Sequence, residues 1–594
     1  MTRAIAIALL AAALPAPALA NGAVEAPSAA ARIPPQLSAE QRDAYRAVFA
    51  ALGERRWTDA QIGLAAMPPG PLHAYARAEL AAAKGSPRVE PDALVQLLTE
   101  APELPQAAEL HRLAQARGAV ALPPLPVAQP LIWRDGAPTR TRAKSVRSDE
   151  VAAQLAVAMQ PLVKADDGAG AEALLLLTDG LSPAALAEWR GRIAWMYFLA
   201  GDDANARRVG AEAAGGDGEW AVQGRWTAAL AAWRQGDWAA AGDGFDAVAV
   251  RAADADLRAT ALYWAARAAT AGGRPDRVSA KLEAAAQFGE SFYGQLARQA
   301  LGLRPAGRPS QVPVSRDWAA LEKRPNLRVA AALVELGETD RADQVIRQQA
   351  RIGDGREFGA LVRVADALGL PATTLWLAHH CPPGVPAVAE ARYPTPHWRP
   401  NRGWRVDKPL VLAHALQESR FRTNILSPAG AFGVMQIMPA VATDYARENG
   451  IGSIGRDLLA DPATNMEVGQ RQLERLRDMA GVTGGLLPKV VAAYNAGPKP
   501  VGEWNALVRD GGDPLLYIES IPYWETRGYV VSVLRNYWMY EAQSGRSASP
   551  SRVALAQGLW PRFPGLPGAT AVRLDVRPSP AASAGLGGMA GGTD

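Results

Sequence analysis

The sequence predicts a mainly α chain: an N-terminal α-α superhelical solenoid followed by a second α domain. Three observations predict it. From about residue 40 to 380, Ala, Leu, Arg and Glu dominate and β-branched runs are scarce, which favours helices. Within that stretch one hairpin pattern recurs. After a Pro-rich break, residues 405–545 become denser in Gly, Tyr, Asn and Met. The 594 residues exceed what one compact core holds, so several domains are expected.

Residues 1–20 carry one Arg, an apolar run from Ala4 to Leu14 and a small-residue site at Ala18-Leu19-Ala20. This reads as a secretory signal cleaved after Ala20. The run is too short to span a bilayer and Pro15 and Pro17 break it, and no other segment reaches 18 apolar residues. An exported, soluble protein without a transmembrane segment is expected. Residues 21–40, rich in Ala and Pro, form an expected loose leader.

The superhelical domain is expected over 41–381. The segments "WMYFLAGDDANARRVG", "LAAWRQGDWAAAGDGF" and "AARAATAGGRPDRVSA" share a helix, a Gly-containing turn and a second Ala-rich helix. Their turn glycines, Gly201, Gly236 and Gly273, are 35 and 37 residues apart, and further copies surround Gly53 and Gly337. Glycine accepts the left-handed conformation at a helix end, and an Asp after it can cap the next helix. The period resembles tetratricopeptide-like hairpins, which stack into a curved solenoid. Trp195, Trp226, Trp233 and Trp264 fall on the apolar stripe and read as packing residues. Residues 382–404 hold six prolines and read as a linker. From 546 the Ser/Pro/Ala/Gly-rich tail is expected to be disordered to residue 594.

Formal charge is +4, with no dense Lys/Arg block, so nucleic acid is not an expected partner. Cys381 is the sole cysteine, which excludes an intrachain disulfide. His379-His380-Cys381 lacks a fourth ligand nearby, and the Asp residues of "GSIGRDLLADPATN" read as helix caps, so neither metal nor cofactor is expected.

The chemistry concentrates in 405–545. "KPLVLAHALQES" places Leu412, Ala415, Leu416 and Ser419 on one helical face, with Glu418 near the helix C-terminus. That end carries partial negative charge, and apolar surroundings disfavour ionisation, so the carboxyl should stay protonated near neutral pH. Such an acid suits cleavage of a glycosidic bond. His414, one turn earlier, reads more simply as a helix-face residue than as a tuner of the acid. Ser427 offers a hydroxyl, Gln436 an amide, and Met435 and Met438 adaptable apolar surface. Tyr494 and Asn495 precede a tight turn, and Glu519, Tyr523, Trp524 and Glu525 cluster later. Aromatic faces beside amides and carboxylates describe a carbohydrate groove.

Five ordered blocks, "QES", "SPAGAFGVMQIMP", "NMEVGQRQL", "AAYNAGPKPV" and "IESIPYWETRGYV", resemble the soluble lytic murein transglycosylases, whose catalytic domain is goose-type-lysozyme-like. "GESFYGQLA" (289–297) resembles that family's pre-catalytic segment. The resemblance implies that Glu418 is the single catalytic acid/base. It implies that Ser427 bonds this glutamate or the substrate's acetamido group, and that Gln436 and Met438 line the cleft. It places Tyr494 near the scissile sugar, with Asn495 beside it, and makes Glu525 a substrate-binding glutamate. Glu519 reads as structural, capping or pairing with Arg527. Thr423 stands where the family often has Pro, and Val434 where Leu is common; both leave the acid intact. The implied partner is the peptidoglycan glycan strand, cut between N-acetylmuramic acid and N-acetylglucosamine in the periplasm. A hydrolysing glycosidase usually has two acids, yet none lies between Ser419 and Thr443. The family's route closes a 1,6-anhydro ring instead, with Glu418 as acid and then base. A lysozyme-like hydrolase and an inactive glycan-binding helical scaffold are the alternatives.

Overall fold

Residues 33–147, 150–305, 313–546 and 548–574 are described in a computed structural model. Among them are twenty-eight α-helices and four strands of two residues each. The chain is mainly α, as its composition predicts. The expected signal segment and its cleavage site lie outside the described residues. Among the described residues no helix is long and apolar enough to cross a membrane.

The hairpins follow the logic of their turns. Helix Pro183–Ala200 ends on Gly201 in the left-handed conformation, and the Asp202 carboxylate accepts from the Asn205 amide of the next helix at 3.1 Å. The same pair recurs at Gly236 and Asp237, where Asp237 caps Ala240 at 3.1 Å. Gly201 has a second duty, because a Cβ there would lie 2.2 Å from the Arg509 guanidinium of the second domain. The copy around Gly53 departs from the pattern: Gly53 is still helical and Arg55 takes the left-handed turn (φ 58°). Trp226 and Trp264 are buried and meet edge to face at 6.4 Å, and Trp233 packs on Trp264 at 5.1 Å. Trp195 stacks on Phe198, and Arg527 of the second domain lies 4.3 Å over its ring.

Packing cuts across the expected domain limits. One hydrophobic core joins helices of 155–297 to residues 393–563. The other joins 37–114 to 318–391, bringing the first helices against the last of the superhelix. Arg42 pairs with Glu335 at 3.3 Å and Arg341 with Glu79 at 3.3 Å across this second core. An extended strap, residues 118–147, connects the two. Its Ile132–Trp133 pairs antiparallel with His380–Cys381, and its Arg140 reaches the second domain.

Arg140 ends in a buried knot. It donates to Glu519 at 2.6 and 3.3 Å and to the Thr260 hydroxyl at 2.9 Å, with Asp256 3.6 Å away. Tyr293, from "GESFYGQLA", donates to Glu519 at 2.7 Å. Glu519 is therefore structural, but its partner is Arg140 rather than Arg527. Arg527 instead donates to the Ile521 carbonyl at 2.8 Å. A strap residue 379 positions away has no signature in local spacing, so the sequence offered the nearer arginine.

Two further segments can be compared with their expectations, and the second is corrected. The Pro-rich 382–404 segment is tied down at its end: Gln470 accepts from the Arg405 and Val406 amides and donates to the Gly403 carbonyl. The tail is ordered over 548–574. Helix Pro550–Ala556 is capped by Ser549, and Trp560 is fully buried with its indole N–H on the Gly512 carbonyl at 2.8 Å. Strand Trp560–Pro561 pairs with Ala571–Val572. Leu555, Trp560 and Phe563 supply enough buried apolar surface to order a segment whose average composition is polar. Residues 575–594 lie outside the described residues.

Candidate active site

Glu418 is the penultimate residue of helix Lys408–Ser419. Pro409 occupies the first turn, where its missing N–H costs nothing. The expected single apolar face is an understatement, since every residue from Pro409 to Ala415 is buried. The helix packs between Trp524–Gln543 and Pro462–Arg477. It ends on two left-handed residues, Arg420 (φ 53°) and Phe421 (φ 62°). Non-glycine residues hold such conformations at a cost, of about 1–2 kcal/mol each, here sustained by burial of the Phe421 ring against Trp398.

The acid is half-buried, and its Oε1 accepts a hydrogen bond from the Tyr529 hydroxyl at 2.5 Å. His414 Nδ1 lies 2.8 Å from the same hydroxyl. Burial pushes His414 down to about 3, so the ring is neutral. With Tyr529 donating to Glu418, His414 Nδ1–H donates to Tyr529, and its Nε2 has no partner among the described residues. The three groups form one oriented chain. Glu418 Oε2 makes no hydrogen bond among the described residues and is the oxygen left without a partner there. Burial pushes the Glu418 carboxyl up to about 7; the Tyr529 hydrogen bond opposes this and the charge of Glu525 reinforces it.

Glu525 and Tyr529 lie four residues apart on helix Trp524–Gln543, one turn and about 6 Å of rise. Glu525 is exposed, in the first turn. Asn495 accepts from the Thr526 hydroxyl at 2.6 Å, fixing the "AYNAG" turn to the same helix end. Tyr494 packs its ring 4.6 Å from His414 and donates to the Met435 carbonyl at 2.9 Å. Its hydroxyl is thus committed to the loop, and the Glu418 charge adds to burial in raising it.

Tyr494 thereby joins this cluster to the loop 424–438. Ser427 Oγ accepts from the Ala431 amide at 2.9 Å and does not bond Glu418. Gln436, left-handed at φ 48°, spends its amide N–H groups on the Ile425 and Gly433 carbonyls. Met438 is exposed at the start of helix Pro439–Glu448, whereas Met435 is fully buried and lines nothing. The loop is held from behind by Asn465, which is fully buried. It accepts from the Met435 amide at 2.8 Å and donates to the Phe432 and Leu459 carbonyls. Gly433 must be glycine: φ is +79°, and a Cβ would lie 2.2 Å from the Asn465 amide nitrogen. Asp444 pairs with Arg475 and Arg447 on the surface, away from this chemistry.

Sequence reasoning missed Tyr529 and Asn465 and undervalued His414. All three lie in quoted blocks; their polar character at buried positions was the available signal. We expect Tyr529→Phe to move the alkaline limb of activity to higher pH, because the carboxylate loses a stabilising donor. Activity should fall about tenfold or more as the acid loses its orientation. A pH–rate profile measures both, and a limb that stays or moves down contradicts the relay.

The fold and site define a class: a mainly α chain whose superhelix carries a lysozyme-like domain with one half-buried, elevated acid. Residues 399–515 match the transglycosylase SLT domain. The soluble lytic murein transglycosylase of Salmonella typhimurium is 33% identical over 165 residues, 28% of this chain and 24% of that protein. That of Escherichia coli K12 is 37% identical over 137 residues, 23% of this chain and 21% of that protein. The matched stretch thus spans about a quarter of these relatives' length. The crystal structure of the 70 kDa soluble lytic transglycosylase SLT70 from E. coli is alike in fold, with a TM-score of 0.53 at 19% identity over 88% of this chain and 99% of that one. Over the matched stretch the chain is similar to the soluble lytic murein transglycosylases, and over most of its length it shares the fold of SLT70.

Proposed function

We propose that this protein is a lytic transglycosylase that cleaves peptidoglycan glycan strands between N-acetylmuramic acid and N-acetylglucosamine. The observation that carries the reading is the Glu418 carboxyl, raised to about 7 and oriented by Tyr529 with Oε2 free. A group poised there is an acid and a base with equal ease at neutral pH. Glu418 Oε2–H gives its proton to the bridging oxygen as the muramoyl C1–O bond breaks, and the acetamido oxygen of the same sugar bonds C1. The Glu418 carboxylate then takes the proton of the C6 hydroxyl, whose oxygen attacks C1 and expels the acetamido oxygen. The attacking group is tethered, so its effective concentration far exceeds that of a bimolecular partner. Ser427, Gln436, Met438, Tyr494, Asn495 and Glu525 frame the strand: the loop by shape, Glu525 by its free carboxylate. The working place proposed is the periplasm, where the signal reading sends the chain.

One observation favours a second reading. The Glu525 charge reaches Glu418, so a second carboxylate could activate water in a lysozyme-like hydrolysis. Product masses from digested sacculi separate the two. The anhydro product is lighter than the hydrolysed one by one water. Anhydro ends are the expected result, and reducing muramoyl ends would overturn it.

A further inference from the structure

Away from the cleft, the strap and the end of helix Pro371–His379 build a flat aromatic face. Trp133 lies parallel to His379, with ring centroids 5.0 Å apart and planes 13° apart. His380 meets Trp133 by its edge at 5.1 Å and itself lies flat on Trp376 at 4.3 Å. The Arg347 guanidinium sits 4.5 Å over Trp376 at the far end.

This stack is held rigidly. Trp133 pairs with His380 in the two-residue ladder, and the Arg134 amide donates to the His379 carbonyl at 2.7 Å. Burial and neighbouring charge hold His379 below its ordinary value, so the ring is neutral and its Nδ1–H donates to the Arg134 carbonyl at 3.0 Å. The strap closes over the ring at Gly136, where a Cβ would lie 3.0 Å from His379 Cε1. His379 therefore backs one face of the indole. Yet Trp133 is 52% exposed, while Trp226 and Trp264, the packing tryptophans of the superhelix, are 1% and 0%. An indole fixed by a ladder, backed by His379, met at 77° by His380 and still half exposed is preorganised to receive a further ring.

Its surroundings are polar. Asp135 is exposed and has no ion pair among the described residues. Arg420 is exposed, and its charge is one of those acting on His379. Arg420 also caps the helix whose penultimate residue is Glu418, which ties the platform to the helix of the acid. An exposed aromatic face with an arginine charge close to its backing ring matches a pyranose: C–H groups on the indole, hydroxyl and acetamido groups on the guanidinium.

We propose that the Trp133–His379 stack is a saccharide platform outside the cleft, binding one pyranose ring of the same glycan strand. The identity of the polymer rests on the function proposed above; the platform's existence does not. The test uses the full chain carrying Glu418→Gln and soluble, uncross-linked peptidoglycan strands, with binding followed by calorimetry. Adding Trp133→Leu, which keeps apolar volume but removes the π face, is expected to weaken binding about tenfold. Trp133→Tyr should retain most of it. In the otherwise unmodified chain, Trp133→Leu should raise KM for long strands and leave kcat and the turnover of a tetrasaccharide unchanged. Should Trp133→Leu lower the melting temperature, the Tyr variant and the tetrasaccharide control carry the comparison. Equal binding with Leu and Trp, or equal loss with Leu and Tyr, overturns the platform. An unmodified chain that releases nothing from sacculi overturns the function instead, and leaves the strand-binding comparison standing.

Discussion

Replacing Glu418 with Gln is expected to abolish fragment release from sacculi, by at least about a thousandfold, while the chain stays folded. General acid–base catalysis contributes about 10²–10⁴-fold, and in the proposed route one group acts in both steps. Gln keeps the shape and can still accept from Tyr529, so the loss is chemical. The same substitution should alter stability in a pH-dependent way. The folded carboxyl titrates near 7, against an ordinary value of 4.5. Between those values the folded state holds the proton more tightly than the unfolded state. The stability gained from this is fully present below the unfolded value and is lost as pH rises through 7. Gln does not titrate, so Glu418→Gln should match the parent near pH 4 and exceed it near pH 8 by up to about 3 kcal/mol. Urea midpoints at both pH values measure it; a variant less stable at pH 8 contradicts the burial argument.

The largest stability loss is expected at Arg140. Glu519 is fully buried, and Arg140 is its cationic partner. Arg140→Met leaves that carboxylate with the Tyr293 hydroxyl alone, and breaking a buried pair from one side costs about 3–5 kcal/mol. Asp256, already pushed up to about 6 by burial, loses its nearest cation too. A second substitution, Glu519→Met, should restore most of the loss, since an apolar pair of similar volume replaces the ionic one. Denaturation of the four chains in the double-mutant cycle tests this, and simple additivity would refute a direct pair. Because Arg140 is on the strap, Tyr293 on the superhelix and Glu519 just ahead of the Tyr529 helix, Arg140→Met should also lower activity.

Much of this molecule was legible before its structure. The hairpin turns at Gly201 and Gly236 were readable because a left-handed glycine and a capping Asp are local requirements. The elevation of Glu418 was readable because its helix is apolar. What escaped was long-range. Tyr529 is 111 residues from Glu418, and His414 reads as a plain helix-face residue because its partner hydroxyl lies on that distant helix. The "NMEVGQRQL" block was quoted as pattern; its meaning is that Asn465 staples the cleft loop and Gln470 the linker. The ordered tail escaped because three buried side chains, at Leu555, Trp560 and Phe563, outweigh many small polar ones.

The sequence by itself determined the helices and their turns, since each depends on neighbours a few residues apart, and it singled out Glu418 through the ordered blocks that follow it. Only the tertiary structure decided what surrounds that acid: the Tyr529–His414 relay, the charge of Glu525 and the Arg140–Glu519 knot. Burial and Coulomb energy depend on distance through space, and a helical chain folded back on itself brings together groups that no periodicity links.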